Sequence, residues 1–95
     1  MSGMVFHPGH QELHGVTVVV DGTDGRTYVG RFDREDERGV LLWDVAVWDP
    51  ATAHGSVEEF LARTLKFGVR AEVRQLVLPS GEVRELCRLS PATGQ

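Results

Sequence analysis

The stretch that decides the fold is Val16-Thr17-Val18-Val19-Val20-Asp21-Gly22-Thr23-Asp24-Gly25-Arg26-Thr27-Tyr28-Val29-Gly30-Arg31-Phe32, followed after a charged break by Val40-Leu41-Leu42-Trp43-Asp44-Val45. Val16 to Val20 is β-branched almost throughout, a composition that suits a pleated, half-buried strand. Gly22 and Gly25 bound a polar turn, so the run leads into a hairpin. The returning strand alternates Tyr28, Gly30 and Phe32 on one face with Val29 and Arg31 on the other. A glycine inside such a run marks a bend or a close backbone approach, and Gly30 is the expected bend.

Working outward, Asp33-Arg34-Glu35-Asp36-Glu37-Arg38-Gly39 is too charged to be buried and is read as the turn between strands two and three. Val40 to Trp48 is apolar on both faces, as expected of a strand covered on two sides, one of them by another subunit. Asp49-Pro50-Ala51-Thr52-Ala53-His54-Gly55 breaks the sheet. Ser56-Val57-Glu58-Glu59 has the spacing of a capping box, and Phe60, Leu61 and Leu65 supply an apolar face for a short helix to about Lys66, ended by Gly68. An irregular or extended path for Phe60 to Phe67 is the alternative. Val69 to Leu78 alternates as a fourth strand with Val69, Ala71 and Val73 on one face, Pro79-Ser80-Gly81 turns the chain, and Val83 to Leu89 returns as a fifth. Before the first strand, Pro8 opens a short helix to Leu13 with Gly15 as its stop, and Ser90 to Gln95 is tail. The sum is a mainly β chain: a small, strongly bent, five-stranded antiparallel barrel with a short N-terminal helix and one inserted short helix.

Ninety-five residues form one domain with a modest core. Fourteen acidic against ten basic residues, a net charge of -4, count against a broad polyanion binder, because such binding is driven by a basic face that releases counterions. A local basic rim is conceivable from Arg63, Lys66, Arg70, Arg74, Arg84 and Arg88, although a solvated mixed surface is the commoner meaning of such residues. The lone Cys87 has no internal disulfide partner, and its alternating surroundings predict a small, buried, inert thiol in a reducing compartment. No leader pattern and no membrane-length apolar run is seen, so the cytoplasm is the expected location.

The succession of Val-rich strand, Asp-Gly turn, Tyr28-Val29-Gly30-Arg31-Phe32, an Asp-containing break and Val40-Leu41-Leu42-Trp43-Asp44 resembles the first motif of the Sm-like family. Val77-Leu78-Pro79-Ser80-Gly81-Glu82-Val83-Arg84-Glu85-Leu86 is similar to the second, and the likeness covers most of Val16 to Leu89 apart from the helical insertion at 56 to 67. It implies an Sm-like or SH3-like barrel whose fourth and fifth strands pair with neighbouring subunits in a homomeric ring of roughly six or seven copies, a common closed symmetry logic. Val73, Leu76, Leu78, Val83 and Leu86 are the interface residues so implied. It also implies single-stranded RNA at the inner pore, where an Asp, a stacking residue and an Asn act with an Arg-Gly pair on a splayed base.

This chain departs from that pattern. Asp36 stands for the acid, with Asp33 a competing assignment; Glu37 or Arg38 falls at the stacking position; Gly39 lies where the Asn would be; and Ser80-Gly81 replaces Arg-Gly. Asp36, Arg38, Gly39, Ser80 and Gly81 are therefore the RNA-contacting candidates, with weakened binding expected and the Arg38 guanidinium as the available stacking plane.

Other chemistry weighs less. His7, His10 and His14 suggest a metal site, but the one nearby carboxylate, Glu12, lies on another helix face and no thiol completes a set, so surface histidines are the better reading and no metal or cofactor is expected. Asp33 with Asp36, and Glu58 with Glu59, fit solvated turns and a helix start better than acid-base pairs. No phosphate loop or nucleophile elbow occurs, which argues against an enzyme. Trp43 and Trp48, five apart, are expected on opposite faces of one strand, one in the core and the other under the helix or at a subunit contact. The leading expectation is an oligomeric Sm-like RNA-binding protein; the alternative is a protein-interaction scaffold that has kept the barrel, lost the base pocket and uses the inserted helix as its contact surface.

Overall fold

The computed structural model describes residues 13–89. The proposed helix from Pro8 and the tail from Ser90 lie outside the described residues. Leu13 to Gly15 form a turn in which the Val16 N–H donates to the Leu13 carbonyl, and Gly15 takes a φ of 82°.

Five strands and one helix follow: β1 (Thr17–Gly22), β2 (Thr27–Asp36), β3 (Gly39–Trp48), α1 (Val57–Phe67), β4 (Val73–Leu78) and β5 (Val83–Arg88). All neighbouring strands are antiparallel, in the order β4-β3-β2-β1-β5. The sheet is open: β4 and β5 are its two edges and do not pair with each other. Closure into a barrel, expected from the sequence, is not made by this chain's own hydrogen bonds.

The sheet nonetheless curls, and bulges are the reason. Val18 and Val20 of β1, Tyr28 and Phe32 of β2, Val40, Leu42 and Val45 of β3 and Leu78 of β4 form one buried cluster, against which Val73, Leu76, Val83 and Leu86 of the two edges also pack. Strand period dictates this: alternate residues share a face, so Val18, Val20, Tyr28 and Phe32 turn inward while Val19 and Val29 turn outward. In β3 the parity switches between Leu42 and Val45, because Asp44 adopts a φ of 53° opposite the register shift between Val29 and Arg31. Gly30 sits at that shift. A Cβ there would come within 3.0 Å of both the Trp43 carbonyl oxygen and Val45, so the close approach uses the missing side chain. A second shift spares Asp33 between Phe32 and Arg34, and a third leaves Arg84 unmatched between Val83 and Glu85. Each extra residue bends its strand and strengthens its twist.

The outward residues Val19 and Val29 meet Leu61 of α1, with Val57, Phe60, Val69 and Leu89 around them, so the sheet has a second, smaller core. The helix starts as its sequence requires. The Ser56 hydroxyl accepts from the Glu59 N–H at 3.1 Å, and the Glu59 carboxylate accepts from the Ser56 N–H at 2.9 Å. Gly68, at a φ of 90°, ends it by donating to the Thr64 carbonyl.

Four expectations are corrected. The run Asp33 to Asp36 is not a turn: β2 continues through it, and only Glu37 and Arg38 form the loop. Charged side chains are accommodated because this end of the strand is partly exposed and Arg34 pairs with Asp36. The fourth strand begins at Val73 rather than Val69, since residues 69–72 return the chain from α1. Trp43 and Trp48 share the outer face, because the bulge at Asp44 resets the alternation between them; both are half-buried, and Trp48 Nε1 donates to the Gly55 carbonyl at 3.1 Å. Cys87 is exposed, not buried, on the edge strand β5.

Candidate functional site

The two halves of the sequence-predicted RNA site do come together. Val40 pairs with Leu78, which sets the start of β3 beside the end of β4, and Gly39 backs onto the carbonyl of Leu78 and the Cα of Pro79. The loop of Glu37 and Arg38 thus stands next to the turn that carries Ser80 and Gly81, a 3-10 turn over Ser80–Glu82. That turn is also held on its other side, where the Thr23 N–H donates to the Glu82 carbonyl at 3.0 Å. Three connections, β1 to β2, β2 to β3 and β4 to β5, are linked through Pro79 to Glu82.

Within this cluster the charges are largely committed. The Asp36 carboxylate accepts the Arg38 N–H at 2.9 Å and faces Arg34 at 3.4 Å and the Arg38 guanidinium at 3.6 Å. That backbone hydrogen bond, more than the nearby arginines, holds its carboxyl below the usual carboxylate range. An acid already satisfied by its own loop has less acceptor capacity for a base edge. Arg38 is 74% exposed, while Ser80 and Gly81 are exposed and a Cβ at Gly81 would meet nothing. Arg34 was missed by the sequence reading; its i to i+2 spacing from Asp36 on one strand face was the available signal. Asp33, the competing acid, is the bulged residue and its carbonyl faces His14 Nδ1 at 2.7 Å.

The first hairpin turn is more rigidly built. The Asp24 carboxylate accepts the Arg26 N–H at 2.9 Å and the Tyr28 hydroxyl at 3.2 Å, and Arg26 reaches Asp49 at 3.2 Å, tying the turn to the end of β3. The backbone hydrogen bond from Arg26 is the main reason that the Asp24 carboxyl is held low. Desolvation raises the Tyr28 phenol.

The predicted interface residues Val73, Leu76, Leu78, Val83 and Leu86 lie on the two edge strands, and their side chains turn inward to the main core, Leu78 being buried and the others partly so. What the edges offer outward is backbone, with polar side chains such as Arg74, Gln75, Arg84 and Glu85 and, as the large apolar one, Val77, 46% exposed on β4. Among the described residues no group of three His, Cys, Asp or Glu side chains is placed to hold a metal. No helix among them is long and apolar enough to cross a membrane.

No family model matches the chain, and no curated protein matches it. Solved structures do: 22 chains are similar. One belongs to the crystal structure of the NatC complex bound to CoA, with a TM-score of 0.57 and 18% identity over 86% of this chain and 84% of that one. At this identity the likeness is one of fold: a mainly β chain of five antiparallel strands in one sheet with a helix.

Proposed function

We propose that this chain is a non-catalytic association domain with an Sm-like sheet, which assembles with copies of itself by pairing β4 of one subunit with β5 of the next. The observation that carries the reading is the pair of open edges. β4 and β5 are each six residues long, each is hydrogen-bonded on one side only, and they bound the same curled sheet at opposite ends. Unpaired edges are templates for another strand, and one edge of each kind per subunit generates a head-to-tail series that closes into a ring when the rotation permits. Both edges are rooted in the core through Leu78, Val83 and Leu86, so pairing would need no refolding. The fold's occurrence in a chain of the NatC complex is in keeping with a role in assembly. Static light scattering of the purified chain tests this: a ring mass is the expected result, and a monomer mass at micromolar concentration overturns it.

A second reading, weakened single-stranded RNA binding, has one observation in its favour. The contact of Gly39 with Leu78 and Pro79 sets the exposed Arg38 beside Ser80 and Gly81, which is the juxtaposition a base-stacking site requires. A uridine-rich oligonucleotide that binds at low salt, releases steeply as salt rises and no longer binds Arg38→Ala supports it; no binding at low salt removes it.

A further inference from the structure

The outer face carries a second surface that neither reading uses. Where the C-terminal half of α1 crosses β3, a groove of about 480 Å³ opens over Ala46 and Val47, walled by Phe60, Thr64, Phe67 and Val69 and rimmed by Arg63, Arg70 and Glu72. Its volume falls within the roughly 300–1,000 Å³ of small-ligand clefts, although the groove is partly open to solvent. Phe67, one wall of the groove, is 74% exposed.

The charges around this groove differ from those of the β1–β3 half of the molecule. In β2 and the turns at its two ends, Arg26, Arg31, Arg34 and Arg38 each pair with an aspartate, Arg34 and Arg38 with the same one, Asp36. Between residues 60 and 76 stand Arg63, Lys66, Arg70 and Arg74 against one carboxylate, Glu72, in a chain whose net charge is -4. Among the described residues no ion pair forms to Arg63, Lys66 or Arg70. Lys66 instead places its ammonium 5.4 Å from the centre of the Phe67 ring, and Glu72 points its carboxylate at the Val47 N–H, 3.4 Å away.

We infer that this groove docks a peptide segment of a partner protein, one that carries an aromatic or large aliphatic anchor flanked by carboxylates. The anchor fills the space between Phe60, Phe67 and Val69, and the flanking acids meet Arg63 and Arg70, whose planar guanidinium groups suit bidentate carboxylate pairing. Charge complementarity selects the occupant: Arg63 and Arg70 outnumber the one rim carboxylate, Glu72, which is turned to the Val47 N–H, and this excess of positive charge favours acidic flanks over basic ones. A nucleic acid fits less well, because its phosphates need a continuous basic track, whereas the floor is apolar and the chain as a whole is acidic. The proposal uses neither free edge, so it stands or falls apart from the assembly reading.

The test is selection from a random peptide display library on the full chain, followed by fluorescence anisotropy with the best enriched peptide. The expected outcome is enrichment of sequences with one large apolar residue between acids, binding weakened roughly tenfold or more by Phe67→Ser and by Arg70→Glu, and weakened less by Arg70→Lys, which keeps the charge but loses the bidentate fork. Both positions are exposed, so these variants are expected to fold, and matching circular dichroism and denaturation curves verify it. No enrichment, enrichment without acids, or affinity indifferent to both variants overturns the proposal. So does an oligomer mass that is lost in Arg70→Glu, which would make a second copy the occupant, or displacement of the peptide by a single-stranded RNA, which would make the surface a nucleic-acid site.

Discussion

Gly39 and Leu78 are in backbone contact: a Cβ on residue 39 would overlap the carbonyl oxygen of Leu78, and Gly39 takes a φ of 130° that side chains rarely adopt. This one approach joins the β2–β3 loop to the turn after β4. Gly39→Ala is therefore expected to destabilise the fold by more than about 2 kcal/mol, through both strain and overlap. Gly81→Ala, two turns of chain away in the same cluster, meets open space and is expected to stay within roughly 0.5 kcal/mol of the parent. Urea denaturation of the two variants measures the difference; equal midpoints would contradict the contact.

The capping box at Ser56 and Glu59 fixes where α1 begins, and α1 seals Val19 and Val29 from water. Ser56→Ala leaves the Glu59 N–H without its acceptor and should cost about 1 kcal/mol. Ser56→Asp restores an acceptor and should recover most of it. Thermal melts of the three proteins decide.

Val77 is 46% exposed on the edge strand β4 and paired with Leu41. A charge there is a common means of blocking edge pairing, so Val77→Lys should reduce the assembly mass while circular dichroism stays unchanged. An unchanged ring mass would separate assembly from this edge.

Acid stability should follow Asp24 and Asp36. Both carboxyls are held below their ordinary range when folded, chiefly by backbone N–H donors from Arg26 and Arg38. A folded pKa below the unfolded one contributes stability that is fully present above the unfolded value, near 3.9 for Asp, and lost as pH falls through the folded value. Denaturation midpoints are thus expected to be flat from neutral pH down to about 5 and to fall below about 4. Asp24→Asn and Asp36→Asn together should flatten that fall.

Cys87 is accessible, yet its thiol is pushed up by partial desolvation and then by the carboxylates of Glu85 and Asp21. Alkylation by iodoacetamide is expected to be slow at neutral pH, with a rate that inflects above the roughly 8.5 of a free thiol. Glu85→Gln should move that inflection downward.

Some of this was readable residue by residue and some was not. The alternation of Val18, Val20, Tyr28 and Phe32, the Asp-Gly turn and the Ser56 to Glu59 spacing are local patterns, and each formed the element that local physics prescribes. The bend at Gly30 was also legible, because a glycine inside an alternating strand pattern marks a bend or a close backbone approach. The acidic run Asp33 to Asp36 misled: charge predicts exposure, but an exposed segment can still be a strand when its partner β3 supplies the ladder. The two tryptophans misled for a related reason, since counting by twos fails across a bulge that only the pairing of β2 with β3 creates.

The sequence by itself determined the number of strands and their antiparallel succession, and its capping spacing and Gly68 favoured a helix over an extended path for Phe60 to Phe67, because periodicity, turn residues and capping act over a few residues. Only the tertiary structure decided that Gly39 meets Leu78, that Cys87 is exposed at an edge, that β4 and β5 stay unpaired within the chain, and that Arg63 and Arg70 rim an apolar groove. Those outcomes depend on contacts between residues far apart in the chain, where bulges set the curl of the sheet and the curl sets which surfaces meet.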